Sequence, residues 1–208
     1  CPVIDAYGMT EATHQMTSNP LPPKKQKPGF VGIPAGPEVC IMNKDDKILN
    51  QGEEGEVCIK GPNVTLGYEN NPEANKTSFS NGWFRTGDQG YFDKDGYLKI
   101  SGRLKEIINK GGEKISPLEV DNILMDHPSI EQAVCFGFND QLLGEDIASA
   151  IIIKEGKECT EEEVKNYARN KLAKFKIPKK IFFVDEIPKG ATGKLQRNIL
   201  AKNFGLNN

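Results

Sequence analysis

The chain has 208 residues, of which 37% are hydrophobic and 27% are charged, so it is long enough for one or two globular domains. Its net charge of −2 excludes a generally basic surface, and we therefore expect no nucleic-acid partner and only local anion sites. No apolar run approaches the roughly 20 residues that a membrane-spanning helix needs, so no membrane span is predicted.

The five cysteines form an odd, scattered set without any CxxC pair. This pattern favours reduced thiols in an intracellular compartment over a disulfide framework or a zinc site. The chain opens on Cys1, without an initiator methionine and directly in an apolar run. We interpret this opening as the interior of a longer protein.

The first element predicted is a short strand over residues 2–6, followed by the sequence YGMTEATH at 7–14. Ligands bind preferentially where polar side chains follow a strand. The Thr10 hydroxyl can donate to a phosphate oxygen, and the Glu11 carboxylate can hold a hard cation such as magnesium. Equally, these two side chains are typical of the first turn of a helix.

A loop rich in proline, glycine and lysine at 19–36 precedes two strand-like runs, at 38–42 and 55–60. These runs predict a small antiparallel sheet or barrel. A short helix is expected to start at 70–74.

The sequence RTGD at 85–88 predicts a tight corner beside the only tryptophan. There the Asp88 carboxylate can accept two hydrogen bonds from a ribose diol. The alternative is that Asp88 caps its own turn. A hairpin turn is predicted at 93–96, leading into a strand at 97–101.

The stretch SGRLKEIINKGG at 101–112 joins two blocks of different composition, and we interpret it as a hinge. Gly111 and Gly112 can adopt φ > 0 and let another molecule approach the backbone closely. The alternative is a plain hairpin with solvated charges. Three positive charges lie in this stretch, at Arg103, Lys105 and Lys110.

Beyond the hinge, capping boxes at 116–119 and 160–163 predict the starts of two helices. Strands are predicted at 131–138, 147–154 and 180–185. Together they predict a compact α+β domain of about 100 residues.

The last motif, PKGATGKLQR at 188–197, is glycine-rich and contains Lys194, which is predicted to open a short helix. The loop can wrap around an anion while the lysine supplies positive charge. The GxxxxGK[ST] spacing of a Walker loop is absent. The alternative is a plain surface loop.

Taken together, the motifs resemble the adenylate-forming (AMP-binding) superfamily, which includes the acyl-CoA synthetases, and are most similar to its oxalate-CoA ligases, the peroxisomal-type coenzyme A synthetases. The resemblance covers essentially the whole chain. It rests on five motifs in the order of the family: YGMTE at 7–11, GEVCIKGPNVTLGY at 55–68, RTGD at 85–88, GRLKEIINKGGEKISPLEV with its preceding serine at 101–120, and PKGATGKLQR at 188–197.

The resemblance implies an α+β fold in two parts. Residues 1–103 are expected to be the C-terminal part of a large AMP-binding domain, including the small antiparallel sheet or barrel. Residues 104–208 are expected to be a small, mobile, mixed α/β C-terminal domain with its hinge near Lys105. The family's phosphate loop and most of its acyl pocket belong to the missing N-terminal part of the large domain, so these 208 residues alone are expected to be inactive.

For ATP and its magnesium ion, the resemblance implies contacts from six residues and from the lysine of the last motif. Tyr7 and Gly8 are expected at the adenine, Thr10 at a phosphate and Glu11 at magnesium. The ribose side of ATP is expected to be held by Asp88 and Arg103.

For the second half of the reaction, Lys105 is expected to be a catalytic pivot, and Gly111 and Gly112 to face the coenzyme A tunnel. Lys194 is expected to bridge the substrate carboxylate and the α-phosphate. The resemblance also implies a domain-alternation mechanism, in which the small domain rotates between the two half-reactions. Lys194 would reach the α-phosphate in only one of the two domain orientations, so it would stabilise the transition state of adenylate formation selectively.

The implied function is an acid-thiol ligase that uses ATP, magnesium and coenzyme A to convert oxalate to oxalyl-CoA in the cytoplasm or peroxisome. The alternatives are a ligase for another short-chain or fatty acid and a non-catalytic nucleotide- or CoA-binding module. We also predict that His14 binds the second carboxylate of oxalate, because helical turning from Thr10 places it on the face of Glu11. The alternative is a packing role for His14.

Overall fold

The computed structural model describes residues 1–189 and 195–206. The chain divides into two compact units, Cys1–Leu104 and Lys105–Asn208. None of the described helices is long and apolar enough to cross a membrane.

The first unit begins with a three-stranded antiparallel sheet in the order β1-β2-β3. Its strands are β1 (Ala6–Met9), β2 (His14–Ser18) and β3 (Ile33–Pro34). The strand expected at 2–6 therefore starts later, at Ala6. A single 3-10 turn, Thr10–Ala12, joins β1 to β2, so the helix expected from Thr10 is only one turn long.

The second sheet of this unit is antiparallel and has the order β4-β5-β7-β6, with β8 pairing on β7. Its strands are β4 (Glu38–Met42), β5 (Gly55–Lys60), β6 (Phe79–Ser80), β7 (Trp83–Phe92) and β8 (Leu98–Arg103). The two strands expected at 38–42 and 55–60 are confirmed. The described strands leave this sheet open, so the barrel alternative is wrong.

Helix α1 (Pro72–Ser78) confirms the short helix expected near 70–74. Its first turn carries proline, whose missing N–H needs no partner there. The Asn71 side chain accepts a hydrogen bond from the Ala74 backbone N–H at 3.1 Å, which satisfies one of the unpaired donors of the first turn.

The RTGD segment lies inside β7 and forms a bulge, so the expected tight corner is wrong. Cys58 pairs with Arg85 while Glu56 pairs with Gln89, which leaves extra residues on the β7 side. Gly87 adopts φ 75°, a conformation that glycine takes without strain.

The second unit is built around a sheet in the order β10-β9-β12-β11, with β13 parallel to β12. Its strands are β9 (Ile108–Lys110), β10 (Glu113–Ile115), β11 (Ile130–Asp140), β12 (Gly144–Ile153) and β13 (Lys180–Phe183). Its helices are α2 (Pro117–Met125), α3 (Glu161–Arg169) and α4 (Arg197–Asn203).

Both faces of the two long strands β11 and β12 are buried, because successive strand residues point to opposite sides. Ala133 and Cys135 of β11 belong to the core cluster that includes residues of α2 and α3. Val134 and Phe136 belong to the cluster that includes residues of α4. The mixed α/β unit therefore has helices on both faces, in agreement with the α+β expectation.

The two predicted helix starts behave differently. Thr160 and Glu163 form a complete capping box at α3: the Glu163 backbone N–H donates to Thr160 Oγ1 at 3.3 Å, and the Thr160 backbone N–H donates to Glu163 Oε2 at 2.8 Å. At α2, Ser116 occupies the N-cap position, but its side chain makes no capping hydrogen bond. The start of α2 is confirmed, whereas its capping box is wrong.

The two adjacent glycines form the turn of the β9–β10 hairpin. Gly111 has φ 59° and Gly112 has φ 96°, which confirms that both occupy the region that other residues rarely adopt. The hairpin is in register, with Lys110 opposite Glu113.

Candidate active site

Three residues predicted at the nucleotide meet in the first unit. The Tyr7 hydroxyl donates to Asp88 Oδ2 at 2.5 Å, and Arg103 Nε donates to Asp88 Oδ1 at 2.8 Å. Asp88 and Arg103 are also backbone partners across β7 and β8. The Asp88 carboxylate is nearly buried, whereas the Arg103 side chain is 53% exposed. The carboxylate is therefore fixed by one donor on each oxygen.

The Tyr7 phenol acts as a neutral donor. Burial raises the pKa of the Tyr7 hydroxyl, and the negative charge of Asp88 raises it further. Because each carboxylate oxygen has more than one lone pair, Asp88 can accept further hydrogen bonds while Tyr7 and Arg103 remain in place. Its backbone N–H donates to Thr86 Oγ1 at 3.1 Å, which fixes its main chain as well.

Gly8 is required by the close approach of β2. A Cβ atom at this position would lie 1.8 Å from the backbone oxygen of His14. The strand following Tyr7 therefore runs without a side chain where the next strand crosses it.

Thr10 and Glu11 lie in the 3-10 turn, with Thr10 exposed and Glu11 half-buried. The Tyr68 hydroxyl donates to Glu11 Oε1 at 2.8 Å, and the Thr65 backbone N–H donates to the Glu11 carbonyl at 2.7 Å. Burial, followed by the hydrogen bond to Glu11, raises the pKa of Tyr68 to about 12. The Tyr68 contact thus orients the carboxylate.

Asn63 forms hydrogen bonds to the same 3-10 turn and to the residue that follows it. Its Nδ2 donates to the Ala12 carbonyl at 2.8 Å, and its own carbonyl accepts from Thr13 Oγ1 at 2.9 Å. Neither Asn63 nor Tyr68 was predicted to be a site residue. Their only signal was membership of the GPNVTLGY motif.

The described residues contain no group of three or more His, Cys, Asp or Glu side chains that could hold a metal ion. Magnesium binds through one or two carboxylates together with substrate phosphates and waters. The single oriented carboxylate of Glu11 fits a magnesium ion that arrives with a nucleotide and does not fit a dedicated protein metal site.

His14 is exposed but does not share a helical face with Glu11. The 3-10 turn ends at Ala12, Thr13 adopts φ 51°, and His14, with φ 80°, already pairs with Met9 as the first residue of β2. The helical geometry expected for His14 is therefore wrong, although its imidazole is accessible to solvent.

In the second unit, Lys105 is exposed and lies directly after the division between the units. Gly111 and Gly112 are exposed at the hairpin turn, and the Gly111 N–H donates to the Leu143 carbonyl at 2.8 Å. Lys194 lies outside the described residues, so the helix predicted to open there is not described at that position.

Arg197, which was not predicted as a site residue, is held by three partners among the described residues of this unit. Its Nη2 lies 2.5 Å from Asp121 Oδ2, its Nε donates to Glu106 Oε2 at 2.9 Å and its Nη1 donates to the Cys135 carbonyl at 2.9 Å. Burial opposes its charge, but the Asp121 and Glu106 carboxylates outweigh burial and raise the pKa of the guanidinium. Lys189 and Leu195, which flank residues 190–194, form a β-bridge.

Two family models match the chain in succession. The model described as AMP-binding enzyme matches residues 1–69, and the model described as AMP-binding enzyme C-terminal domain matches residues 119–194. The chain belongs to the AMP-binding enzyme family.

Two curated relatives with a high sequence identity to this chain are oxalate-CoA ligases. The oxalate-CoA ligase of Arabidopsis thaliana is 56% identical over 204 residues, which are 98% of this chain and 40% of that protein. The oxalate-CoA ligase of Saccharomyces cerevisiae is 55% identical over 205 residues, 98% of this chain and 38% of that protein. The chain therefore spans about 40% of the length of these relatives.

The fold has close solved counterparts. The crystal structure of ATP-bound MatB from Rhodopseudomonas palustris superposes with a TM-score of 0.90 at 34% identity, covering 97% of this chain and 40% of that one.

Proposed function

We propose that the complete protein is an ATP-dependent carboxylate-CoA ligase that converts oxalate to oxalyl-CoA through an acyl-adenylate. The observation that carries the reaction class is the nearly buried Asp88 carboxylate, held by Tyr7 and Arg103 at the end of the first unit. The similarity to two oxalate-CoA ligases over 98% of the chain supports oxalate as the acid.

The nucleotide contacts follow from the geometry of this cluster. Asp88 accepts hydrogen bonds from the ribose hydroxyls, while Arg103 lies on the ribose side and its Nε–H orients the carboxylate. Adenine lies against Tyr7 and the exposed residue Gly8.

The phosphates lie at the 3-10 turn. The exposed Thr10 hydroxyl donates to a phosphate oxygen, and Glu11, oriented by Tyr68, holds the magnesium ion. Magnesium supplies positive charge to the triphosphate when bound.

In the first half-reaction, a carboxylate oxygen of the acid attacks the α-phosphorus of ATP, the bond to the β-phosphate oxygen breaks and pyrophosphate leaves. Extra negative charge develops around the α-phosphate. Lys194 stabilises this charge, as a cation placed there is worth more in the transition state than in the ground state.

In the second half-reaction, the CoA thiol releases its proton to solvent and its sulfur bonds to the acyl carbon. The bond from that carbon to the phosphate oxygen breaks, and AMP leaves. We assign the Gly111-Gly112 turn to the pantetheine arm. Residues 1–103 belong in this proposal to the large domain and residues 104–208 to a small domain that turns about Lys105 between the two half-reactions. The remainder of the large domain is the expected intramolecular partner.

The proposed compartment is the cytoplasm or the peroxisome. The five cysteines are all free, which agrees with a reducing environment.

The test is acid-dependent ATP–pyrophosphate exchange by the complete protein, measured with oxalate, malonate, acetate, an aromatic acid and a fatty acid. We expect the highest kcat/KM with oxalate and loss of exchange in Lys194→Ala by orders of magnitude. Preference for another acid would replace oxalate as the substrate, and absence of exchange with every acid would support the non-catalytic alternative.

A further inference from the structure

The β9–β10 hairpin, which carries the Gly111-Gly112 turn, has few backbone connections to the rest of its sheet. Only Lys110 and Gly144 pair between β9 and β12 among the described residues. One more bond joins the Gly111 N–H to the Leu143 carbonyl at 2.8 Å. A short hairpin with so few ladder bonds depends on side chains for a fixed position.

Lys110 provides a charged side-chain contact, in addition to the buried Ile108 and Ile115 side chains of the hairpin. Its Nζ lies 2.5 Å from Asp146 Oδ1, and the two side chains are only 15% and 3% exposed. Asp146 Oδ1 also accepts the Ile147 N–H at 2.8 Å, which orients the carboxylate. The residue directly before Gly111 is thus tied by a buried ion pair to β12.

A second lysine connects this pair to the end of β11. Lys179 Nζ lies 3.6 Å from Asp146 Oδ2 and 2.6 Å from Asp140 Oδ2. Asp140 Oδ1 in turn accepts the backbone N–H groups of Leu142 and Leu143 at 3.0 and 3.1 Å. Lys179, with these N–H groups, lowers the pKa of Asp140 to about 2, so the carboxylate is charged at neutral pH.

Asp140 is connected to the Gly111-Gly112 turn through Leu143. Asp140 fixes the backbone of Leu143, whose carbonyl accepts the Gly111 N–H. A Cβ atom at Gly111 would lie 3.3 Å from Leu143 Cδ2, so the two loops are already in contact. Lys110 and Leu143 thus provide two connections close to the turn. The hairpin is also held by the Asn109 N–H, which donates to Glu145 Oε2 at 2.7 Å, and by the buried Ile108 and Ile115 side chains.

We propose that Lys110, Asp146, Lys179 and Asp140 form a positioning network that holds the Gly111-Gly112 turn in place for thioester formation. This inference rests on the proposed function, because it assigns the turn to the CoA arm. The four side chains touch the turn or its neighbours rather than the reacting atoms, so they are positioning residues. Small displacements of a positioned reactant cost large factors in rate.

The first test uses Lys179→Met in the complete protein, because the Lys179 side chain is 51% exposed and the buried Lys110–Asp146 pair stays intact. We expect thioester formation from supplied oxalyl-adenylate to fall about 10-fold or more in kcat, and ATP–pyrophosphate exchange to stay within about 2-fold. Lys110→Met should produce the larger loss, and Lys110→Arg should restore part of it.

The matched control is Lys176→Met, which removes a lysine of the same unit that pairs with Glu119. Neither half-reaction should change in this variant. Equal losses of both half-reactions in Lys179→Met, or no loss of thioester formation, would overturn the positioning role.

A second measurement separates failure of this inference from failure of the proposed function. Hydrogen exchange of the complete protein, followed by mass spectrometry over residues 108–115, reports the stability of the hairpin without any assay of activity. We expect faster exchange there in Lys179→Met and Lys110→Met but not in Lys176→Met. Unchanged exchange would overturn the network even in an active ligase, and faster exchange in an inactive protein would count against the proposed function alone.

Discussion

The Tyr7 hydroxyl and the Asp88 carboxylate, separated by 81 residues in the sequence, meet at 2.5 Å. Tyr7 belongs to β1 of the small sheet, and Asp88 belongs to β7 of the five-stranded sheet. This bond therefore joins the two sheets of the first unit at the point where we place the nucleotide. It couples the geometry of the proposed ribose site to the packing of the unit.

Tyr7→Phe tests whether this bond contributes both to the stability of the fold and to ATP binding, because phenylalanine keeps the ring and removes only the hydroxyl. We expect the free energy of unfolding to fall by about 1.5–3 kcal/mol, the usual contribution of a hydrogen bond to a charged group, and the KM for ATP to rise. Urea unfolding and steady-state kinetics of the complete protein measure the two effects.

The matched control is Tyr97→Phe, which removes a hydroxyl bonded to the Lys25 carbonyl in the same unit. It should leave the KM for ATP unchanged. The same rise in KM in both variants would argue against a special role for Tyr7.

Arg197→Met should strongly destabilise the second unit. It leaves the Asp121 carboxylate buried without its guanidinium partner, and breaking a buried ion pair in this way costs about 3–5 kcal/mol. Urea denaturation followed by circular dichroism measures this loss, and Asp121→Asn in the same chain should restore part of it.

Arg169→Met is the control for Arg197→Met, because Arg169 pairs with Glu162 at the surface, where ion pairs contribute about 0–1 kcal/mol. Similar losses of unfolding free energy in the two variants would show that the buried Arg197–Asp121 pair stabilises the fold no more than a surface ion pair does.

The lowered pKa of Asp140 predicts that its contribution to the stability of the fold decreases at acidic pH. Its folded-state pKa of about 2 lies below the usual value near 3.9, so its contribution is fully present above about pH 4 and disappears as the pH falls toward 2. The stability difference between the wild-type chain and Asp140→Asn should therefore shrink over this range. Urea unfolding at successive pH values tests this, and a difference that grows on acidification would contradict the assigned pKa.

His14→Ala tests the prediction that His14 binds the second carboxylate of oxalate. The imidazole is exposed next to the turn that carries Glu11, although it does not share a helical face with it. A recognition role predicts a large loss of kcat/KM for oxalate and a small one for a longer monocarboxylic acid. Equal losses for both acids, or none, would leave His14 with the packing role.

Local patterns predicted the elements that depend on local chemistry. The alternating strands at 38–42 and 55–60 and the capping box of Thr160 with Glu163 occur as expected, because each is determined by neighbours in sequence. The paired glycines adopt positive φ for the same reason.

Features that depend on distant partners escaped prediction. The RTGD segment forms a bulge where β7 pairs with β5. This pairing involves a strand distant in sequence, so the four residues alone do not predict it. The Tyr68 contact to Glu11 and the Arg197 contacts to Asp121 span long sequence separations, so no spacing rule reveals them. The residues themselves suggested a ribose role for Asp88, whereas Tyr7 and Arg103 could be assigned to the nucleotide only through the family resemblance. The functional roles of all three remain predictions.

The most direct test of the central claim is the product balance of the complete protein incubated with oxalate, ATP, magnesium and coenzyme A. We predict that liquid chromatography with mass spectrometry will detect oxalyl-CoA, AMP and pyrophosphate in equal amounts, with Asp88→Ala strongly impaired. Formation of ADP and phosphate, or no oxalate-dependent thioester under conditions where the protein is folded, would contradict the account.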